Sequence, residues 1–316
     1  MFKTKMLSAT LAATLAFGTF GVSFTATAAS KAEQELVGYL TSLGVQDSFT
    51  WERIEGDSLS DATIYGVSYI NDAGTADEKK YLIKEMVFDD YTLSDDGASV
   101  EVKYQGVTDE DGVHIFLSDK LQPESHFKNL DYKQLDDIEV KLKYVMGKAN
   151  GALEGKLEIE QDEVFDSRID FKTEGLDMLI DQLSSLNVAT LDPNLILVSA
   201  MATKIHRINL DIDDDGYNKR LLEHRPNHRT EVAEQYQTCL ESVAQFGLKD
   251  LEQGCSAIRD YLLDKEDKLH ISMNPAKPFS IGEYMPMFML VGSAGADAMG
   301  KLVQRILNEI NLKISN

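Results

Sequence analysis

Residues 151–173 read GALEGKLEIEQDEVFDSRIDFKT. Leu153, Leu157 and Ile159 share one parity with Gly155 between them, and Phe165, Ile169 and Phe171 share one parity with Ser167 between them. The intervening positions are mostly Glu, Lys, Asp and Arg. Successive strand side chains point to opposite faces, so this pattern makes a two-strand meander with one apolar and one charged face. An antiparallel sheet tolerates water on one face, but its apolar face must be covered. What covers it decides the fold and bears on the function.

The same alternation recurs along the chain. Val100, Val102 and Tyr104 alternate with Glu101 and Lys103, and Ile138, Val140, Leu142, Tyr144 and Met146 alternate with Glu139, Lys141 and Lys143. Phe49–Ile54, Ala62–Ile70, Tyr81–Phe88, Val113–Leu117, Ile205–Ile212 and Leu269–Met273 also read as strands, the last of these as the final strand. Turns are expected at Asn71–Gly74, Asp95-Asp96-Gly97 and Asp109–Gly112. Helical spacing marks the covers. Leu36, Leu40 and Leu43 follow a Ser30/Glu33 capping pair, and Leu176, Leu179, Ile180, Leu183 and Leu186 form one stripe. Asp192-Pro193 reads as a helix start, Ser280/Glu283 as another capping pair, and Met299, Leu302, Val303, Ile306 and Ile310 as a closing helix. The expected fold is α+β: a large curved antiparallel sheet of about eight to ten strands packed by amphipathic helices, with a helical hairpin insertion and C-terminal helices. It forms one domain over residues 29–316, strand-rich at 46–175 and helix-rich at 176–316.

Thr230–Phe246 and Leu251–Leu263 have helical spacing, with Gly247 as a stop between them. They predict a hairpin over 229–264. Gly247 is equidistant from Cys239 and Cys255, so an antiparallel hairpin brings the two face to face, and an oxidising compartment would join them. Two buried free thiols are the alternative.

That compartment is expected from the start of the chain. Lys3 and Lys5 precede an apolar run from Met6 to Phe24, and Ala26-Thr27-Ala28 offers a cleavage site, a pattern that predicts a secretory signal peptide over residues 1–28. An uncleaved anchor is the alternative. The first cysteine is Cys239, so lipid anchoring is not expected, and Tyr284–Gly300, the most apolar later stretch, is interrupted by Pro286 and Asp297. We expect a bacterial periplasmic protein with no integral membrane segment after cleavage. The net charge is −22, which argues against nucleic acid and anionic lipid headgroups as partners and favours a basic one, the plainer reading being a solvated acidic surface.

Residues LIKEMVFDDYTLSDDGASVEVKYQGV, the 151–173 meander, and the run from LDIDDDGYNKRLLE to KLHISMNPAKPFSIGEYM resemble uncharacterised proteobacterial periplasmic proteins. These in turn resemble the curved β-sheets of AsmA-like envelope proteins. The resemblance covers most of the mature chain and implies a groove concerned with lipid handling. The membrane anchor usual in AsmA-like proteins is missing from the pattern, so a fixed bridging role is not implied, and no functional residues transfer.

Candidate chemistry is sparse. Asp211, Asp213, Asp215 and Gly216 match the opening of a calcium loop, whose close-set oxygens suit a hard cation. The twelfth position is Leu222, with Glu223 one place late, so a strand end, turn and helix cap is the competing reading; no other cofactor is expected. His224 and His228 are four apart but flank Pro226, and His206 reads as a core histidine on an apolar strand face. Gly292-Ser293-Ala294-Gly295 is not a nucleophile elbow, and no phosphate loop or zinc-protease motif is found. Tyr284, Met285, Met287, Phe288 and Met289 form a soft apolar segment suited either to an irregular core or to an apolar ligand. The leading expectation is a non-enzymatic envelope protein binding an apolar or lipid-like ligand in a sheet groove. The alternatives are an acidic protein-interaction module and an unrecognised hydrolase.

Overall fold

A computed structural model describes residues 29–123, 125, 127–177, 198–199, 201–291 and 296–316, the side chains of 250, 281, 289, 296 and 297 excepted. The expected signal peptide, the stripe beyond Asp177, the Asp192-Pro193 helix start and Gly292–Gly295 lie outside these residues.

Among the described residues, twelve strands form one curved, unclosed antiparallel sheet. They are β1 (Phe49–Thr50), β2 (Arg53–Glu55), β3 (Thr63–Asn71), β4 (Lys79–Ser94), β5 (Gly97–Thr108), β6 (Glu139–Gly147), β7 (Ala152–Gln161), β8 (Phe165–Glu174), β9 (Lys204–Asp214), β10 (Lys268–Met273), β11 (Phe279–Ser280) and β12 (Leu312–Ser315). The order is β1-β3-β4-β5-β6-β7-β8-β9-β10-β12, with β2 beside β3 and β11 beside β9. Six α-helices accompany them: α1 (Lys31–Ser42), α2 (Tyr217–His224), α3 (His228–Phe246), α4 (Glu252–Leu262), α5 (Ile281–Val291) and α6 (Ala296–Ile310). The α+β architecture read from the sequence is the one observed.

Register carries the one-sidedness across strands. Leu142, Leu157, Ile169, Leu210, Ile271 and Ile314 are successive partners from β6 to β12. Tyr144, Gly155, Phe171, Ile208, Met273 and Leu312 form the next row. Between them on the opposite face run Lys143, Lys156, Asp170, Asn209 and Ser272. Gly155 leaves room for its cross-strand partner: a Cβ there would lie 2.6 Å from Phe171 Cζ.

In β3, β4 and β5 the simple alternation breaks. The buried pairs Ile64/Val67, Ile83/Met86 and Tyr104/Val107 are three residues apart instead of two. Gly66 and Gly106 sit inside two of these breaks with φ of 61° and 68°, a left-handed backbone that glycine adopts without strain. The residues on either side of each break belong to the same core. One large core takes in Leu36, Tyr39 and Leu40 of α1 and Ile115, Phe116, Leu121, Phe127, Leu130 and Leu135 of the segment between β5 and β6. Phe88, 1 % exposed, meets Tyr39 edge-on at 5.8 Å.

Three expectations are corrected. Val113–Leu117 is not a strand: it makes a single bridge, His114 to Thr108, and then turns, with Leu117 and Ser118 donating to the His114 carbonyl. Ile115 and Phe116 are both buried, which period-two alternation does not allow. Phe49–Ile54 is split into β1 and β2 at Trp51-Glu52, where Glu52 lies over Gly66. Leu269–Met273 is not the final strand, because β11 and β12 follow.

The hairpin is α3 and α4. Gly247 ends α3 with φ 68°, and Leu248 N–H donates back to the Val243 carbonyl at 2.8 Å. A disulfide joins Cys239 to Cys255 across it, with Cα atoms 6.0 Å apart and a sequence separation of 16. Arg259 lies 4.4 Å above the Tyr236 ring on the same pair of helices. Closing so short a loop limits the unfolded chain, so replacing both cysteines by Ser is expected to lower the unfolding free energy by about 3 kcal/mol. A fall in the urea midpoint at constant slope is the readout; an unchanged midpoint refutes the cross-link's contribution.

Candidate ligand site

Among the described residues the apolar face is covered in two separate places. At the β3–β7 end lies the core just described, which also takes in Tyr217 and Leu221 of α2. At the other end, α4 places Ala257 and Tyr261 on Leu269, Ile271 and Ile314, while α5 and α6 build a cluster with Met273, Phe279 and Leu312. Between these covers, Met146 of β6, Leu153 of β7, Phe171 of β8 and Ile208 and Leu210 of β9 are partly exposed and belong to none of the three cores. Phe171 pairs with Ile208, and Met146 with Leu153, so they form one strip on neighbouring strands. Its rim is Leu142, Tyr144 and Ile169, partly exposed and packed on the first core. Such a strip has no polar group to orient a ligand. What it offers is apolar area, the recognition chemistry of an acyl chain or another extended apolar molecule.

The soft segment expected to line a groove is placed elsewhere. Tyr284 is buried and stacked on Phe279 with ring centroids 5.2 Å apart, and Met287 and Phe288 pack in the same cluster. Met285 faces outward at 37 % exposure, and the side chain of Met289 lies outside the described residues. Helix α5 therefore has a core of its own. A separate open cleft of about 560 Å³ lies between the hairpin and β12, lined by Tyr236, Glu252, Ser256, Ala257, Asp260 and Ile314 among others. Its Asp260 is held by Arg259 at 2.7 Å and Lys265 at 3.1 Å, which keep that carboxyl low, at about 2. The strip is more uniformly apolar, and it is the candidate site.

The calcium-loop residues are dispersed by the strand. Asp211 pairs with His270 and Asp213 with Lys268 across the β9–β10 ladder, while Asp215 accepts from Glu163 N–H at 2.7 Å. Among the described residues no group of three or more His, Cys, Asp or Glu is gathered to hold a metal. His224 ends α2 and is exposed, whereas His228 is buried with Nε2 3.0 Å from the Leu262 carbonyl. His206 is not a core residue: it falls at the β8–β9 register shift and turns to Glu174, with Nε2 3.2 Å from Oε2.

One buried and one partly buried carboxyl escaped the sequence reading. Asp109 lies in the segment covering the sheet and accepts from Asp111 and Val113 N–H and from the Ser118 hydroxyl. Although burial opposes its charge, these donors hold its carboxyl below the ordinary range. Asp214 shares the parity of Ile208, Leu210 and Ile212, so it points to the inner face, where it accepts from Gly216 N–H at 3.2 Å and Asn218 N–H at 3.0 Å. Parity was the signal that would have found it.

Fold and strip together define an α+β protein with a one-sided antiparallel sheet whose apolar face is incompletely covered by the described residues. A family model described as "Uncharacterized protein" matches residues 158–316, half of the chain, and the chain belongs to that family. The match holds Phe171, Ile208 and Leu210 of the strip. No curated protein matches.

Burial pushes the Asp214 carboxyl up from 3.8 to about 6, the backbone donors opposing and Asp264 and Asp267 adding to the rise. Between these two values the native state keeps a proton that the unfolded chain has released, so stability falls as pH rises through that window. Asp214→Asn retains the capping oxygen and removes the titration. Melting midpoints measured from pH 4 to pH 7 are expected to decline less for the variant than for the parent. Parallel curves would count against this role.

Proposed function

We propose that the protein is an exported, periplasmic, non-enzymatic binder that holds an apolar or lipid-like ligand along the β6–β9 strip as part of envelope maintenance. The observation that carries this reading is the strip itself: five apolar side chains, contiguous across four strands, half-exposed between covers that bury the same face on either side. A sheet that only needed a core would gain by extending either cover, since each square ångström removed from water contributes roughly 25 cal/mol. The apolar lining, without buried charge or converging polar groups, suits binding and offers no arrangement for bond-breaking chemistry.

A second reading, an acidic module for a basic protein partner, draws on one feature of the polar face. Glu139, Glu160, Asp166 and Asp213 are successive partners in a single ladder row. Partial burial and the neighbouring carboxylates raise both Glu160 and Asp166. This repulsion would be relieved by a cationic partner.

Organic extracts of natively purified protein are expected to contain an apolar ligand by mass spectrometry. An environment-sensitive fatty-acid probe is expected to bind the delipidated protein, and Phe171→Ala to weaken that binding roughly tenfold, the order of a partly lost aromatic burial. Extracts without lipid together with a probe that does not bind would overturn the reading.

A further inference from the structure

Helix α5 is apolar on its outward side as well as its inward side. It has one charged residue, Glu283, in eleven. Tyr284, Met287, Phe288 and Val291 point into the second core. The arc turned away from them carries Met285, Pro286 and Leu290, with Met285 37 % and Leu290 73 % exposed. A helix end abuts this one: the Ser280 hydroxyl donates to the Met201 carbonyl at 3.0 Å, and one turn before it Val198 is 47 % exposed. Leu290 is the most exposed large apolar side chain among the described residues. A water-facing helix normally turns charged and polar residues outward.

The charge of this region also departs from the rest. From Lys268 to Asn316 there are five Lys or Arg and three Asp or Glu, a net +2 in a chain of −22. Lys277, just before β11, and Lys301 and Arg305, one turn apart on α6, are exposed. Arg305 is 6.0 Å from the Tyr284 ring and pairs with Glu309 at 2.9 Å, while Lys277 has no carboxylate partner among the described residues.

We propose that the outward faces of α5 and α6 form a membrane-docking surface that rests on an anionic bilayer. Met285, Pro286 and Leu290 enter the boundary between headgroups and acyl chains, and Lys277, Lys301 and Arg305 lie at headgroup level. The acidic remainder is repelled by the same headgroups, which sets the orientation: helices down, charged sheet face away. The docking surface is separate from the strip and does not depend on a ligand being held there.

The test is flotation of the full chain with phosphatidylcholine vesicles, with and without phosphatidylglycerol. The protein is expected to float with the mixed vesicles and weakly with phosphatidylcholine alone. Met285→Asp/Leu290→Asp is expected to reduce partitioning roughly tenfold or more, and Lys301→Glu/Arg305→Glu to abolish the preference for phosphatidylglycerol. All four positions are exposed, so melting midpoints should stay near the parent's; Leu290→Ser is the milder variant if the double one does not fold. Protein left unfloated by both vesicles, or a Leu290 variant that floats like the parent, overturns the proposal. Leu290→Asp is expected to bind the fatty-acid probe as the parent does. Parent protein that binds the probe but floats with neither vesicle therefore counts against docking alone, and parent protein that floats but does not bind the probe counts against the strip alone.

Discussion

The antiparallel register from β6 to β12 is the constraint on which the rest of the molecule depends. A shift of one residue at any pair would send Leu, Ile and Phe to the charged face and Glu, Lys and Arg to the apolar one. The polar face reinforces the correct pairing. Glu154 meets Lys172 at 2.8 Å and Arg207 at 3.2 Å, and Asp170 meets Arg207 at 2.6 Å. Such exposed pairs contribute little stability individually. Their effect lies in selection, because a slipped register breaks them while it misplaces the apolar row.

Once the sheet is one-sided, the covers explain its uneven burial. The first is assembled from distant pieces, α1 at the start of the chain, the segment between β5 and β6, and α2 beyond β9, so it closes tightly over β3–β7. The second is local, built by helices that follow β9 and β10. Among the described residues neither reaches the middle of β6–β9, where strand residues of the same parity pass from buried Leu157 and Ile159 to partly exposed Leu153. The strip is therefore a property of where two covers stop, which no strand sequence encodes by itself.

That distinction marks what was legible beforehand. Period-two alternation is a local signal, so β5 to β10 and their inner residues could be read directly, and the hairpin could be read from its spacing about Gly247. Signals that depend on tertiary partners misled. Val113, Ile115 and Leu117 alternate as a strand would, yet the segment turns because Ile115 and Phe116 both find apolar neighbours. Tyr284, Met287 and Phe288 could be read either as core or as a soft ligand lining, because their partners, Phe279, Leu302 and Ile310, are spread over the last part of the chain. Asp211, Asp213 and Asp215 drew attention as a motif, whereas parity singles out Asp214, whose carboxyl accepts from Gly216 and Asn218 N–H on the inner side.

An unclosed sheet must also protect its edges, and the two ends do so differently. At one end, β1 and β2 are interrupted at Trp51-Glu52, and the Glu52 side chain crosses Gly66, which breaks the edge into pieces too short to template another strand. At the other end, β12 has four residues, no strand on its outer side among the described residues, and exposed Lys313 within it. Short length and charge limit pairing there, while α4 packs Gly254 against Ile314 so closely that a Cβ on the glycine would sit 3.0 Å from it. With both edges blunted, the sheet stays open without closing into a barrel. An open antiparallel sheet can leave part of one face to water or to a ligand.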